Sequence, residues 1–373
     1  MTLFSPFVYC WSIGNTLSYK IPDLQTAVTK LGLKAATMAF LISSGTSTGI
    51  WNTFLEAIPE MQSFVQGGGI LTISVGGANG PFIQDYMTQE TIFTSLSNIL
   101  TQTGCHRLDF DIEGASITET ANIDKLNKAI VQLQKQFPTL IISFTIPVGQ
   151  PQWGSITQDY LSLINNAISN GVENFIINGM LMDLYSGSGI DWGTMSVNIM
   201  ESMKSQITVL FPNKTNQELY AMLGGTFMSG IQDDSSIFTN SDTITFANYA
   251  LEKNLGLISY WALQRDQIGT NNLALYNGIN TIDFEYYTTV DKIINGTTPP
   301  TPTPNPPPTP NPPPTPITPR SPINPPTWAV GVTYTIGDYV TYEGQIYECT
   351  YPNKSIITWA PSIYTLALWK PII

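Results

Sequence analysis

Apolar and polar positions follow two alternating patterns along the first 296 residues. Short runs rich in β-branched and aromatic residues are separated by stretches with helical periodicity, such as Asn122–Gln136, Gln158–Asn170 and Met195–Leu210. The β-rich runs are Phe4–Trp11, Ala36–Ile42, Ile70–Val75, Arg107–Glu113, Leu140–Val148, Asn174–Met182, Tyr220–Met228 and Gly256–Leu263. Eight such units predict an α/β fold, a (β/α)8 TIM barrel. The pattern alone leaves a doubly wound sheet as the alternative, because it has the same alternation.

The pattern breaks at residues 297–327, where 16 of 31 residues are proline. Proline fixes φ and lacks an amide proton, so neither a helix nor a central strand can form there. We expect an extended linker between a domain at 1–296 and a second domain at 328–373.

The second domain is short and rich in aromatic residues. Alternation from Tyr339 to Cys349 around Glu343-Gly344 predicts a β-hairpin, so we expect a small all-β module. A domain of this size does not need so many aromatic side chains for its core. We expect some of them to be exposed for binding.

Composition and charge exclude several function classes. The net charge is −12, which argues against nucleic acid and against anionic membrane surfaces. Only 11% of residues are charged, against roughly 25% in an average soluble protein, so much of the polar surface comes from uncharged side chains. That surface suits neutral, hydroxyl-rich ligands. No phosphate-binding glycine loop is present, which argues against a nucleotide-binding enzyme.

Cysteine and histidine usage predicts neither a disulfide framework nor a metal site. Of the three cysteines, Cys10 and Cys105 could pair, but two separate buried thiols are favoured. His106 is the single histidine, so a histidine-rich zinc site is excluded and no cofactor is expected. No stretch reaches the ~18 apolar residues of a membrane span. The first residues lack the pattern of a secretory leader, so any leader has been removed or export does not use one.

One strand carries a row of acids. In the run Arg107–Glu113, the residues Asp109, Asp111 and Glu113 occupy alternate positions and must share one face, which we expect to be the inner face of the barrel. Neighbouring buried carboxyl groups cannot all ionise, so at least one pKa must rise, as a general acid requires. Glu113 lies nearest the barrel mouth and is the best candidate for that acid. A calcium site stays open as an alternative.

Four motifs resemble those of glycoside hydrolase family 18. Leu108–Gly114 (LDFDIEG) is similar to the family's strand-four signature, with His106 and Arg107 in place of its first Asp and its Gly. The other three are Ser74–Gly77, Asn178–Asp183 and Ser259–Asp266, which resemble the motifs of strands three, six and eight. Because only about 25 residues separate strands seven and eight, the chain looks like the bacterial chitinases that lack the inserted α+β subdomain. The departure at His106 and Arg107 lies away from the acid and predicts altered pH behaviour.

The resemblance implies a mechanism and its residues. Family 18 enzymes use the substrate's own N-acetyl oxygen as nucleophile. By that resemblance Glu113 is the general acid and base, Asp111 orients the acetamide, and Asp109 shares a proton with Asp111. Further side chains would bind substrate: Trp261 as the floor of the central subsite, and Met180, Met182, Asp183 and Tyr185 around the acetamide. Four tryptophans are candidate outer subsites: Trp11, Trp51, Trp153 and Trp192.

The C-terminal segment resembles carbohydrate-binding module families 5 and 12. The resemblance implies chitin binding through Tyr351 and Trp359, with Trp328, Tyr347 and Trp369 in the core. The chain is thus expected to be an extracellular, monomeric chitinase that acts on chitin and chito-oligosaccharides. Two alternatives remain: an endo-β-N-acetylglucosaminidase acting on N-glycans, and a non-catalytic chitin-binding lectin.

Overall fold

The computed structural model describes residues 2–184, 189–269, 272–279, 282–294, 325–342, 344–350, 353–355, 361 and 369–372. The chain divides into two compact units, residues 1–232 with 236–301 and residues 302–373 with 233–235. The strands of the first unit are β1 (Leu3–Phe4), β2 (Phe7–Tyr9), β3 (Ala35–Leu41), β4 (Ile70–Gly76), β5 (Arg107–Asp111), β6 (Ile141–Pro147), β7 (Phe175–Leu181), β8 (Leu223–Met228), β9 (Gly230–Ile231), β10 (Ile237–Phe238) and β11 (Leu257–Trp261).

Helices follow most of these strands, as the periodicity predicts. They are α1 (Leu24–Leu31), α2 (Asn52–Glu56), α3 (Ile58–Gln66), α4 (Ile83–Tyr86), α5 (Gln89–Thr103), α6 (Thr120–Gln136), α7 (Gln158–Asn170), α8 (Trp192–Leu210), α9 (Asn216–Ala221), α10 (Asn240–Lys253) and α11 (Glu285–Ile294). Local sequence fixes several starts. In α10, for example, Thr239 and Asp242 form a reciprocal capping box that satisfies otherwise unpaired backbone N–H groups.

The strands form a parallel sheet in the order β1-β11-β8-β7-β6-β5-β4-β3-β2. The first and last members of that order are two halves of one segment, which bends at Ser5-Pro6. The Ser5 N–H donates to Ile258 O on β11, and Pro6 O accepts from Thr37 N on β3. The segment therefore joins both ends of the sheet and closes it, which confirms the (β/α)8 barrel and rules out the doubly wound alternative.

The two faces of the barrel wall differ in chemistry. Residues that face the helices form the apolar core, including Leu108, Phe110 and Ile112 of the acidic strand. The inner positions carry small polar side chains that are nearly inaccessible to solvent, whereas branched apolar residues usually fill such barrels. These inner residues include Thr37, Ser74, Asp109, Asp111, Ser143, Thr145, Asn178, Thr226 and Ser259.

The second unit is all-β, as the sequence predicts. Its strands are β12 (Thr333–Tyr334), β13 (Tyr339–Tyr342), β14 (Gln345–Cys349), β15 (Asn353–Lys354) and β16 (Trp369–Ile372). The predicted hairpin is β13–β14, and β16 pairs antiparallel with β14. The core comprises Trp328, Tyr334, Val340, Cys349 and Trp369, and Tyr347 packs partly buried against it. Tyr351 and Trp359 lie outside the described residues.

Candidate active site

The acidic strand brings its carboxyl groups to the carboxyl end of the barrel. Asp109 and Asp111 are 1% and 4% exposed, and Glu113 lies two residues beyond the last residue of β5, half-buried at the mouth. Because side chains alternate along a strand, the first two project inward while Leu108 and Phe110 project toward the helices. The row therefore runs from the barrel interior to its opening.

Asp109 is held by hydroxyl groups from both neighbouring strands. Its carboxylate accepts hydrogen bonds from Ser74 Oγ at 2.7 Å, Ser143 Oγ at 2.6 Å and Thr145 Oγ1 at 2.7 Å. Burial raises the pKa of Asp109, and these hydroxyl donors oppose the rise because they favour the charged form. Asn178 Nδ2 extends the network by donating to Thr145 Oγ1 at 2.9 Å.

Asp111 lies in a different environment. Its Oδ1 is buried with no hydrogen-bond partner among the described residues, and its carboxyl group is hydrogen-bonded to Glu113. Burial raises the pKa of Asp111 well above its ordinary value, and the nearby charges of Glu113 and Asp109 raise it further. Both oxygens of Asp109 already accept hydroxyl groups, whereas the carboxyl group of Asp111 is hydrogen-bonded to that of Glu113.

The Ser74–Gly77 motif shapes the wall beside these acids. A Cβ on Gly76 would lie 2.0 Å from the backbone oxygen of Asp111, so only glycine lets the two strands approach this closely. Gly77 N donates to that same oxygen at 2.8 Å. The motif therefore supplies both a hydroxyl donor to Asp109 and the space for β5.

Trp261 ends β11 within an aromatic cluster. Its ring stacks on Phe40 with centroids 5.4 Å apart, and it contacts Tyr9 at 5.0 Å and Phe7 at 5.7 Å. These contacts fix the plane of a half-buried indole at the mouth. A rigid aromatic face of this kind can bind the apolar C–H face of a sugar.

The end of β7 and the residues after it line the next part of the rim. Met180 projects inward at 9% exposure, and Met182 and Asp183 follow the strand, both half-buried. Asp183 has a left-handed backbone, with φ of 53°. Tyr185 lies outside the described residues.

The four candidate outer tryptophans differ in exposure. Trp11 and Trp51 are half-buried, with ring centroids 6.4 Å apart, beside the Trp261 cluster. Trp153 is 81% exposed on a turn that follows β6. Trp192 is fully buried and donates from Nε1 to Ser236 Oγ at 3.0 Å, so the hypothesis that it forms an outer subsite is wrong. Its position at the start of an amphipathic helix favours core packing over binding.

His106 and Arg107 lie at the opposite end of β5 from Glu113. His106 is exposed, with Nδ1 3.3 Å from Thr139 Oγ1. Arg107 is half-buried, and its charge opposes the rise that burial causes in the pKa of Asp109.

Sequence reasoning missed the residues that support the acidic row. Ser143, Thr145 and Thr226 were not singled out, and Asn178 was named only as part of a motif, although all four form the inner hydroxyl and amide layer. Tyr160 was also missed; its hydroxyl donates to Ile112 O at 3.0 Å. The available signal was the recurrence of polar residues at alternate positions of otherwise apolar strands.

Three further findings bear on the chemistry. Cys10, Cys105 and Cys349 are buried free thiols, as the favoured reading of the cysteines predicts. Within the part of the chain that the structure describes, no group of three His, Cys, Asp or Glu side chains is arranged to hold a metal ion. No helix among the described residues is both long and apolar enough to cross a bilayer.

Comparisons with known proteins agree with this geometry. A family model described as carbohydrate-binding module family 5/12 matches residues 327–370. The chain is 27% identical over 289 residues to a probable bifunctional chitinase/lysozyme of Escherichia coli (strain K12), covering 72% of this chain and 32% of that protein. It is 27% identical over 280 residues to Endochitinase 11 of Metarhizium anisopliae, covering 69% and 52%. The chain thus spans about a third and about half of these curated relatives.

A solved structure covers nearly the whole barrel. The catalytic domain of a hyperthermophilic chitinase from Pyrococcus furiosus superimposes with a TM-score of 0.70 at 26% identity, over 79% of this chain and 96% of that one. The four motifs, the closed barrel and these similarities all point the same way. The barrel is therefore similar in sequence and fold to chitinases, and residues 327–370 match carbohydrate-binding module family 5/12.

Proposed function

We propose that this protein is a chitinase, which hydrolyses β-1,4-N-acetylglucosaminide bonds of chitin and chito-oligosaccharides with retention of configuration. The observation that carries the proposal is the pair of buried carboxyl groups, Asp109 and Asp111, behind a half-buried Glu113 at the barrel mouth. A raised pKa on Asp111 and its hydrogen bond to Glu113 keep a proton at the point where a glycosidic oxygen would bind.

In the first step Glu113 donates its proton to the glycosidic oxygen as the C–O bond breaks. The acetamide oxygen of the same sugar attacks the anomeric carbon, which gives a cyclic oxazolinium ion and releases the leaving chain as an alcohol. Asp111 accepts a hydrogen bond from the acetamide N–H and stabilises the positive charge. In the second step Glu113 takes a proton from water, whose oxygen attacks the anomeric carbon and reopens the ring.

Asp109 and its hydroxyl donors support these steps from below. Three short hydrogen bonds stabilise charge on Asp109, so the mobile proton is directed toward Asp111 and Glu113. The expectation that Asp109 shares a proton with Asp111 stays a prediction. The inner polar layer therefore has an electrostatic role as well as a packing role.

The rim residues bind the sugar. Trp261 stacks under the central sugar, while Met180, Met182 and Asp183 contact its N-acetyl group. Trp153 adds an outer subsite, since its large aromatic ring is 81% exposed just after β6 and is free to stack on a sugar. We expect Trp153→Ala to weaken binding of long oligomers without changing stability.

Residues 1–296 form the catalytic domain, 297–327 a stiff linker, and 328–373 a module that adsorbs to chitin, with Tyr351 and Trp359 as binding residues. The core aromatics Trp328 and Trp369 are buried, so adsorption must use other rings. The protein acts outside the cell, where an insoluble polysaccharide such as chitin is met, and it acts as a monomer.

Product analysis on soluble chito-oligosaccharides, with detection of the first anomer released, tests the reaction. Substrate assistance requires the β-anomer first, and an initial α-anomer would contradict the mechanism. A high-mannose glycoprotein assayed beside chitin tests the alternative of N-glycan cleavage. Adsorption without any hydrolysis would instead support a lectin.

Deletion of residues 297–373 tests the module. We expect unchanged rates on soluble oligomers and roughly tenfold weaker adsorption to chitin beads, because the module raises the effective concentration of the barrel at the surface. Unchanged adsorption would refute the module's role.

A further inference from the structure

The segment after β8 connects two motifs that lie far apart in the sequence. Arg265 Nη2, from the strand-eight motif, donates to Ile231 O at 2.5 Å. The next residue, Gln232, accepts the backbone N–H of Asp183 through Oε1 at 2.7 Å. The motifs Asn178–Asp183 and Ser259–Asp266 therefore contact two adjacent residues that sequence analysis did not single out.

The contact to Asp183 supports an unusual backbone. With φ of 53°, Asp183 occupies the left-handed region that residues other than glycine rarely adopt. Such conformations persist where the surroundings over-determine them, and they cluster at functional sites. The amide oxygen of Gln232 is one of the groups that hold Asp183 in this conformation.

Gln232 is itself fixed in place. Its side chain is 1% exposed, and its backbone N–H donates to Ser236 O at 2.9 Å. Ser236 Oγ in turn accepts from the fully buried Trp192. The acceptor oxygen therefore has a rigid support that reaches into the helical layer.

Packing stability alone does not explain a glutamine here. Its Nε2 is buried without a hydrogen-bond partner in the described part of the chain, which is unfavourable for a polar group. An apolar side chain of similar length would avoid that cost. What favours a glutamine is its amide oxygen, which accepts the hydrogen bond from Asp183 N.

We infer that Gln232 is a positioning residue for recognition of the substrate's N-acetyl group, acting by fixing the backbone of Asp183. This inference rests on the proposed function, in which Asp183 contacts the acetamide. Gln232 does not touch the sugar. It sets where the Asp183 carboxylate stands when the sugar binds.

The test compares two glutamine variants on a chromogenic N,N′-diacetylchitobioside. Gln232→Met removes the acceptor at nearly constant volume, and we expect kcat/KM to fall on the order of 10- to 100-fold, as for a displaced binding group. Gln134→Met is the matched control. Gln134 Oε1 also accepts a backbone N–H, from Glu173 at 3.0 Å, but at the opposite end of β7. We expect its kcat/KM to equal that of the wild type.

A double-mutant cycle separates positioning from a general structural effect. If Gln232 acts through Asp183, then Gln232→Met adds no further loss to Asp183→Asn. Losses that multiply would overturn the inference, and so would an unchanged kcat/KM in Gln232→Met. Thermal melting of each variant checks folding. If Gln232→Met does not fold, Gln232→Asn, which withdraws the acceptor by one methylene, is judged by the same criteria.

The two proposals fail in different ways. If the wild type is active and Gln232→Met has the same kcat/KM, the positioning role is overturned and the chitinase proposal stands. A wild type inactive on every chito-oligosaccharide overturns both.

Discussion

Two buried aspartates, at opposite sides of the barrel, show how similar burial leads to different roles. Asp111 and Asp266 are 4% and 0% exposed, and burial raises the pKa of each well above its ordinary value. Asp266 accepts from Tyr287 N at 2.9 Å, Tyr286 N at 3.4 Å and Tyr260 Oη at 3.2 Å. Asp111 has an unpartnered oxygen and a carboxyl neighbour instead.

The difference lies in what surrounds each carboxyl group. Asp266 accepts from two backbone N–H groups at the start of α11, so it anchors that helix, and the nearby charge of Glu285 contributes to its raised pKa. The charges of Glu113 and Asp109 raise the pKa of Asp111 further, and Glu113 is half-buried at the mouth of the barrel, where a substrate can reach it. A raised pKa alone therefore does not identify a catalytic carboxyl group; its partners do.

The largest expected effect is the loss of kcat when Glu113, the carboxyl group beside Asp111, is replaced. Glu113→Gln should lower kcat on soluble chito-oligosaccharides by about 10³-fold, because an amide cannot donate the proton that the leaving oxygen needs. Adsorption to chitin and the melting temperature should not change. Retention of most activity would exclude Glu113 as the acid.

Asp111→Asn should come next, with kcat about 10²-fold lower, since the amide keeps the volume but loses the negative charge that stabilises the oxazolinium ion. Steady-state kinetics on the same oligomers measure it. Near-normal kcat would place Asp111 with Asp266 as a structural group and break the comparison.

Asp266→Ala should act on stability instead. Three donors lose their acceptor, and we expect the free energy of unfolding to fall by about 2–4 kcal/mol in urea titrations. The kcat of the folded fraction should stay within about threefold of the wild type. A stable but inactive variant would assign Asp266 to the chemistry.

The smallest expected effect is a change in the free energy of unfolding with pH, caused by the raised pKa values of Asp111 and Asp266. Each aspartate has a folded pKa above its unfolded value of about 3.9, so the folded state binds more protons between the two values. The stabilising contribution is therefore full below about pH 4 and is lost as pH rises toward the folded pKa.

Asp111→Asn should consequently lose little stability at pH 4 and should gain relative to the wild type as pH rises toward neutrality. Urea midpoints at several pH values measure this. A difference between variant and wild type that stays constant with pH would mean that Asp111 is ionised in the folded protein.

The fold was predictable from local pattern because strand and helix periodicities are set by backbone geometry. The helix Gln158–Asn170 has the bounds that the sequence predicts, and the ends of most strands differ from their predicted positions by only one or two residues. The run Phe4–Trp11 was the exception. Its bend at Ser5-Pro6 depends on pairing with two different strands, which no local pattern reports.

The site was predictable only in part. Alternation along one strand sufficed to set Asp109 and Asp111 on a common face and Leu108 and Phe110 on the other. It did not reveal that Trp192 is a core residue, because an indole at a helix start is compatible with either burial or binding until its neighbours are known.

By itself, the sequence determined the order of strands and helices, the two domains on either side of the proline segment, and the acidic row with its common direction. Only the tertiary structure decided the partners. The hydroxyl groups on Asp109 come from residues 34 to 36 positions away, and the oxygen on the Asp183 amide comes from 49 positions away. Covalent geometry fixes the direction of a side chain within its strand, but the groups that it meets depend on how distant strands close into a barrel.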